Sequence, residues 1–76
     1  MKIKVNPTKI QELISWLDDN VGPRNRTVGR IVYGEGWSVW VTGYGPLDSM
    51  NVQWKAEISD ENVDDKTKTI FALKWG

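Results

Sequence analysis

The sequence predicts an α+β domain: one N-terminal helix packed on a curled, four- to five-stranded antiparallel sheet. Three observations carry that prediction. Apolar residues recur at helical spacing in one early segment, at Ile10, Leu13, Ile14, Leu17 and Val21, with stop and start signals on either side. From Arg26 onward they recur at every second residue, in segments rich in Val, Ile, Thr and aromatics. No second helical segment is available for a parallel crossover, so the strands are expected to follow one another as a meander.

Each element has its own grounds. In residues 1–5, Ile3 and Val5 alternate with Lys2 and Lys4, which reads as a short edge strand or an extended arm, and lysines on an edge discourage sheet-to-sheet pairing. Asn6 and Pro7 have the character of an N-cap and first helical position, and Thr8 with Gln11 offers a capping box as the alternative start. Gly22 and Pro23 stop the helix, the glycine as a left-handed C′ residue and the proline as a block to continuation. Four strands are then expected at residues 27–33, 37–42, 52–59 and 69–75.

The strand faces follow from alternation. Trp37, Val39 and Val41 share one face, as do Val52, Trp54, Ala56 and Ile58, and in the last segment Phe71, Leu73 and Trp75. Within 27–33, burying Arg30 unpaired is costly, so Ile31 and Tyr33 are assigned inward. That choice sets Tyr33 opposite Trp37 across a three-residue Gly34-Glu35-Gly36 loop. Leu13, Leu17, Trp37, Trp54, Phe71 and Leu73 are the expected core. The opposite face then carries Arg30, Ser38, Trp40, Thr42, Gln53, Lys55, Glu57, Ile70, Ala72 and Lys74, a polar surface with one large aromatic.

Composition narrows function mostly by exclusion. Seventy-six residues make a single small domain, 1–76. Ten basic and ten acidic residues give a formal net charge of zero, unlike a general nucleic-acid binder or an acidic DNA mimic. The chain has no cysteine and no histidine, which excludes disulfides, Cys or His zinc sites, thiol nucleophiles and histidine-based triads. It shows neither a membrane-length apolar run nor a signal-peptide core, so the expectation is a soluble, cytoplasmic protein with no membrane partner. Hydrophobic residues are only 39%, and five tryptophans are therefore expected to supply much of the core.

The chemistry-bearing motifs are sparse. An EF-hand begun at Asp60 fails where Asp65 replaces the glycine and Phe71 the bidentate glutamate, which leaves an acidic solvated loop. The glycine pairs Gly34/Gly36 and Gly43/Gly45 lie between strands and read as turns rather than phosphate loops. No serine has a histidine base, so an enzyme is not expected, nor is any cofactor or metal. The order of one helix before a meander also differs from the alternating pattern of RNA-recognition domains, and their aromatic-and-glycine motif is missing.

What stands out is Trp40, out of phase with the core set. With Tyr44, Arg30, Lys55 and Trp16 it forms the candidate partner-binding group, of the residue types common in interface hot spots. The bland alternative makes Trp40 a cover for Ile70 and Ala72. Residues 1–34 carry six basic and three acidic groups, a local +3, and residues 35–76 carry four and seven, a local −3. The leading expectation is a non-enzymatic protein-binding domain, an accessory or inhibitor that occludes or bridges a larger partner. Single-stranded nucleic acid is the alternative, bound on an aromatic and basic sheet face where the cluster Arg24, Arg26 and Arg30 stands beside Trp40 and Lys55, and a tryptophan-lined small-ligand pocket under the sheet ranks third. At zero net charge, generic oligonucleotides are not expected to bind at physiological salt.

Overall fold

The computed structural model describes residues 1–43, 52–61 and 63–76. Strand β1 (Lys2–Val5) leads through a 3₁₀ turn (Pro7–Lys9) into helix α1 (Ile10–Asn20). Strands β2 (Arg24–Val28), β3 (Ile31–Gly34), β4 (Trp37–Gly43) and β5 (Val52–Ile58) follow, and helix α2 (Asp65–Trp75) ends the chain. The sheet order is β1-β5-β4-β3-β2 and every neighbouring pair is antiparallel. The α+β class, the N-terminal helix and the antiparallel meander are as the sequence indicates, with β1 closing the far edge beside β5.

The 3₁₀ turn that leads into helix α1 begins as the sequence dictates, and α1 continues from it at Ile10 with no side-chain cap of its own. The Asn6 side chain accepts a hydrogen bond from the Thr8 amide at 3.0 Å, and Pro7 takes the first helical position. The α1 stripe of Ile10, Leu13, Ile14 and Leu17 is buried. At the other end the amides of Val21 and Gly22 both donate to the Leu17 carbonyl, at 2.9 and 3.1 Å. Gly22 does not take the left-handed conformation expected of it. Space is what it supplies, because a Cβ there would run into the Glu35 carbonyl.

Two segments differ from the sequence reading. Residues 69–75 are not a strand but the last two turns of α2. The helix starts at Asp64, whose carboxylate accepts from the Thr67 amide at 2.9 Å, with Asp65 in the first turn and Lys74 in the last to complement the helix dipole. Phe71 and Trp75, four apart, face the core together, whereas Leu73 points outward and is 81% exposed. The run Thr-Ile-Phe-Ala-Leu-Lys-Trp has apolar residues compatible with either period, and the caps and Phe71/Trp75 packing decide for the helix.

Residues 27–33 likewise are not one strand. The chain reverses at Gly29 and Arg30, with Gly29 at φ +60° in the first central position of a two-residue hairpin turn. The next turn is also one residue tighter than expected: Gly34 pairs directly with Trp37, and Gly36 supplies the positive φ of +84°. Gly34 must lack a side chain, since a Cβ would lie within the Trp37 indole. Shifting the register by one residue exchanges the faces of β3. Val32 therefore faces inward opposite Val39, while Tyr33 and Ile31 face outward, opposite Ser38 and Trp40.

Both helices pack on one side of the sheet. A single cluster joins α1 and α2 to Val5, Trp37, Val39, Ala56 and Ile58. Trp16 stacks on Phe71 at 6.4 Å between ring centroids and lies tilted against Trp75 at 6.3 Å, tying the two helices together. The Trp37 indole N–H donates to the Gly22 carbonyl at 2.6 Å, which anchors the α1 terminus to β4. Of the expected core, Leu13, Leu17, Trp37 and Phe71 are buried and Trp54 is half-buried against the cluster.

Candidate interaction face

The other side of the sheet is covered by neither helix. Pairing across the strands defines its rows. One row runs Val28, Ile31, Trp40, Lys55, Lys4 from β2 to β1; the next runs Arg26, Tyr33, Ser38, Glu57, Lys2. Thr42 and Gln53 pair beyond Trp40 and Lys55. Directly opposed residues of an antiparallel pair project to the same side, so these side chains share one surface. Its centre is apolar and aromatic, with Ile31, Tyr33 and Trp40 half-buried and Val28 53% exposed. Among the described residues of these rows four cations stand against Glu57, a balance of +3 on a chain whose total is zero.

Each aromatic carries a cation. The Lys2 ammonium reaches diagonally across β5 to 5.7 Å from the Trp40 ring centroid. The Arg26 guanidinium stands 5.3 Å from the centroid of Tyr33. Both distances fall within the ~6 Å over which a cation is held by the ring quadrupole, an attraction of ~0.5–1 kcal/mol at exposed sites. Lys55 lies directly across from Trp40 on β5 and Lys4 beyond it on β1. The acidic side chains mostly lie elsewhere: Glu12, Asp18 and Asp19 on α1, and Asp60, Glu61, Asp64 and Asp65 around the start of α2.

The five residues singled out in the sequence are thus only partly brought together. Trp40 and Lys55 are neighbours on the open face. Arg30 occupies the β2–β3 turn, next to the Ile31 that pairs with Trp40. Trp16 lies in the helical layer, on the opposite side of the sheet from Trp40. Tyr44 lies outside the described residues. The cover proposed for Trp40 is not there, since Ile70 and Ala72 belong to α2 on the far side.

Sequence reasoning missed Tyr33, Lys2 and Lys4 as members of this face. The signal for Tyr33 was Gly29: read as a hairpin residue rather than a strand residue, it splits 27–33. For Lys2 and Lys4 the missing step was the partner of β1, because only pairing with β5 sets those lysines beside Lys55 and Trp40.

The edges of the sheet are less inviting than its face. β2 carries Arg24 and Arg26 and a pairing irregularity between them, and β1 is only four residues long with two lysines. Bulges, short length and charge are the usual means by which edge strands resist further pairing. Beneath the sheet the described core side chains of the strands and both helices form one cluster. A depression of about 460 Å³ lies instead between the helices, lined by Gln11, Glu12, Ser15, Trp16, Lys74 and Trp75. Among the described residues no group of three acidic side chains is placed to hold a metal ion, and no helix is long and apolar enough to cross a membrane. The chain matches no protein-family model, no curated protein and no solved structure.

Proposed function

We propose that this protein is a non-enzymatic binding domain that docks a larger macromolecular partner on the outer face of its sheet. The observation that carries the reading is the asymmetry of the sheet. Two helices cover one face, while the other presents Trp40, Tyr33, Ile31 and Val28 within a ring of lysines and arginine. Aromatic residues outside the core grouped with arginine are typical of binding surfaces, in which a few such side chains contribute most of the affinity. The five-stranded sheet and its core hold these side chains on regular strands rather than on loops, so little ordering is needed on association.

The test is partner capture from a lysate of the source cells with the wild-type chain and with Trp40→Ala. The expected outcome is a loss of more than ~2 kcal/mol in partner affinity for the variant. Its folding stability should change by less than ~1 kcal/mol, since Trp40 lies outside the core cluster. A Trp40→Ala chain that captures the same partners as strongly as wild type removes the face from consideration.

A further inference from the structure

We infer that the occupant of the outer face is single-stranded nucleic acid, with bases stacking on Trp40 and Tyr33 and phosphates meeting Lys2, Lys4, Arg26 and Lys55. This inference rests on the outer face being the binding surface and names the partner it takes.

Charge is the first ground. Among the described residues the strand rows of this face carry Lys2, Lys4, Arg26 and Lys55 against Glu57 alone, so a chain of zero net charge presents +3 there. Asp60, at the edge near Tyr33 and Glu57, is paired with the N-terminal ammonium. Such a surface complements a polyanion and releases its counterions on binding. The kind of cation is the second ground. Lysine is depleted from protein–protein interfaces, whose centres are also poor in charge. Here Lys55 stands directly opposite Trp40, Lys4 continues the same row, and Lys2 covers the ring. A protein partner would have to desolvate those ammonium groups near the middle of the contact, whereas a phosphate chain pairs with them.

The pairing of cation and ring is the third ground. Trp40 and Tyr33 lie on adjacent strands in adjacent rows, a diagonal placement of ~7–8 Å that lets two bases stack in succession. Lys2 and Arg26 occupy the ring faces in the unbound chain. A stacking base takes the place of each cation, and the displaced ammonium or guanidinium, on its long stem, reaches the phosphate beside that base. The cations thereby shield the aromatic surface before binding and neutralise the ligand after it. This is the stacking-platform arrangement by which single strands are held with little sequence preference.

Geometry separates single from double strands. Five strands at ~4.8 Å spacing make a surface ~19 Å across, whereas the major groove is ~12 Å wide and admits a helix or a two-stranded ribbon. A duplex would keep its bases out of reach of Trp40 and Tyr33.

The experiment measures fluorescence anisotropy of labelled oligothymidylate and oligouridylate of about a dozen nucleotides. Competition with a duplex of equal length and with polyglutamate accompanies it. Single strands should bind with a log–log salt slope between about −2 and −3, the value for three to four phosphates. They should outcompete duplex and polyglutamate at least about tenfold. Replacing both Tyr33 and Trp40 by alanine should weaken binding at least about tenfold, at the measured scale of base–aromatic stacking. The exposed pair Lys2→Gln and Lys4→Gln, which leaves the core untouched, should reduce the slope by about 1.4. No binding at low salt overturns the inference. So does equal binding of polyglutamate, which shows charge attraction alone. If single strands fail while a nuclease-resistant lysate partner is lost with Trp40→Ala, the face stands as a protein-binding surface and only its assigned occupant falls.

Discussion

The two faces of one sheet obey different rules in this protein. On the inner face Val39, Ala56 and Ile58 are buried under two helices, and every position answers to packing. On the outer face Ile31, Tyr33, Trp40 and Lys55 keep part of their surface in water, and no helix constrains what they are. A domain of 76 residues has little stability to spare, since small chains bury a smaller share of their surface. That it leaves a tryptophan and a tyrosine outside its core is therefore informative. The inner face makes the fold, and the outer face is free to be shaped by a partner.

The largest effect that sharpens this contrast is expected at Phe71. Its ring is fully buried and stacks on Trp16, and it joins α2 to the same core that α1 fills. Phe71→Ala should cost ~3–5 kcal/mol, read as a drop in the chemical-denaturation midpoint. A cost under ~1 kcal/mol would mean that α2 contributes little to the core, and the two-helix account of the inner face would fail.

How much of this was legible in the sequence depends on what each segment had to choose between. The N-terminal helical segment was readable because the stripe of α1 and the Asn6-Pro7 start of the 3₁₀ turn before it agree, so the local signals and the packing select the same element. β4 and β5 were readable because alternation on a half-buried sheet leaves one assignment for Trp37, Val39, Ala56 and Ile58. α2 was not, because seven residues with Phe71, Leu73 and Trp75 fit a two-residue period as well as a helical one. The deciding residue, Asp64, stands outside that window. β3 was misassigned through one residue of loop length, which moved Tyr33 from the inner face to the outer. Half of the candidate face was hidden for the same reason. Trp40 announces itself by its phase, but Tyr33 depends on a turn, and Lys2 and Lys4 depend on a pairing between residues more than fifty positions apart.

A smaller effect is expected at the start of α2. The Asp64 carboxyl is held below its ordinary value of 3.8, chiefly by hydrogen bonds from the Thr67 side chain and amide, with the charges of Lys66 and Lys68 acting in the same direction. A carboxyl whose value is lower in the folded chain stabilises the fold above its unfolded value, and that contribution disappears as the pH falls through the folded value. Asp64→Ala should therefore lower the melting temperature at neutral pH and remove helical signal from the first turn of α2. Asp64→Asn keeps a capping oxygen, so it should restore most of the helix. The difference between wild type and Asp64→Asn should shrink as the pH is taken below about 3.8. Equal melting temperatures for Asp64→Ala and wild type at neutral pH would remove the cap from the account of why this segment is a helix.

The smallest effect is expected at Leu73, and it discriminates most sharply between helix and strand. As a member of a period-two strand, Leu73 would share a buried face with Phe71 and Trp75, and its truncation to alanine would cost ~2–5 kcal/mol. In α2 it lies two residues from each of them, about 200° around the helix at 100° per residue, and 81% of its surface is exposed. Alanine is the strongest helix former, so the loss of a few surface contacts is offset by backbone preference. Leu73→Ala should then change the unfolding free energy by no more than ~0.5 kcal/mol, beside a Phe71→Ala loss several times larger. The pair of measurements reads the period of the segment directly: a large loss at Phe71 with none at Leu73 is the signature of a helix, and equal losses are the signature of a strand. Repeating the Leu73 measurement across a range of protein concentrations closes the remaining route to a large effect. A side chain buried only by self-association gives a midpoint that rises with concentration in wild type and not in the variant.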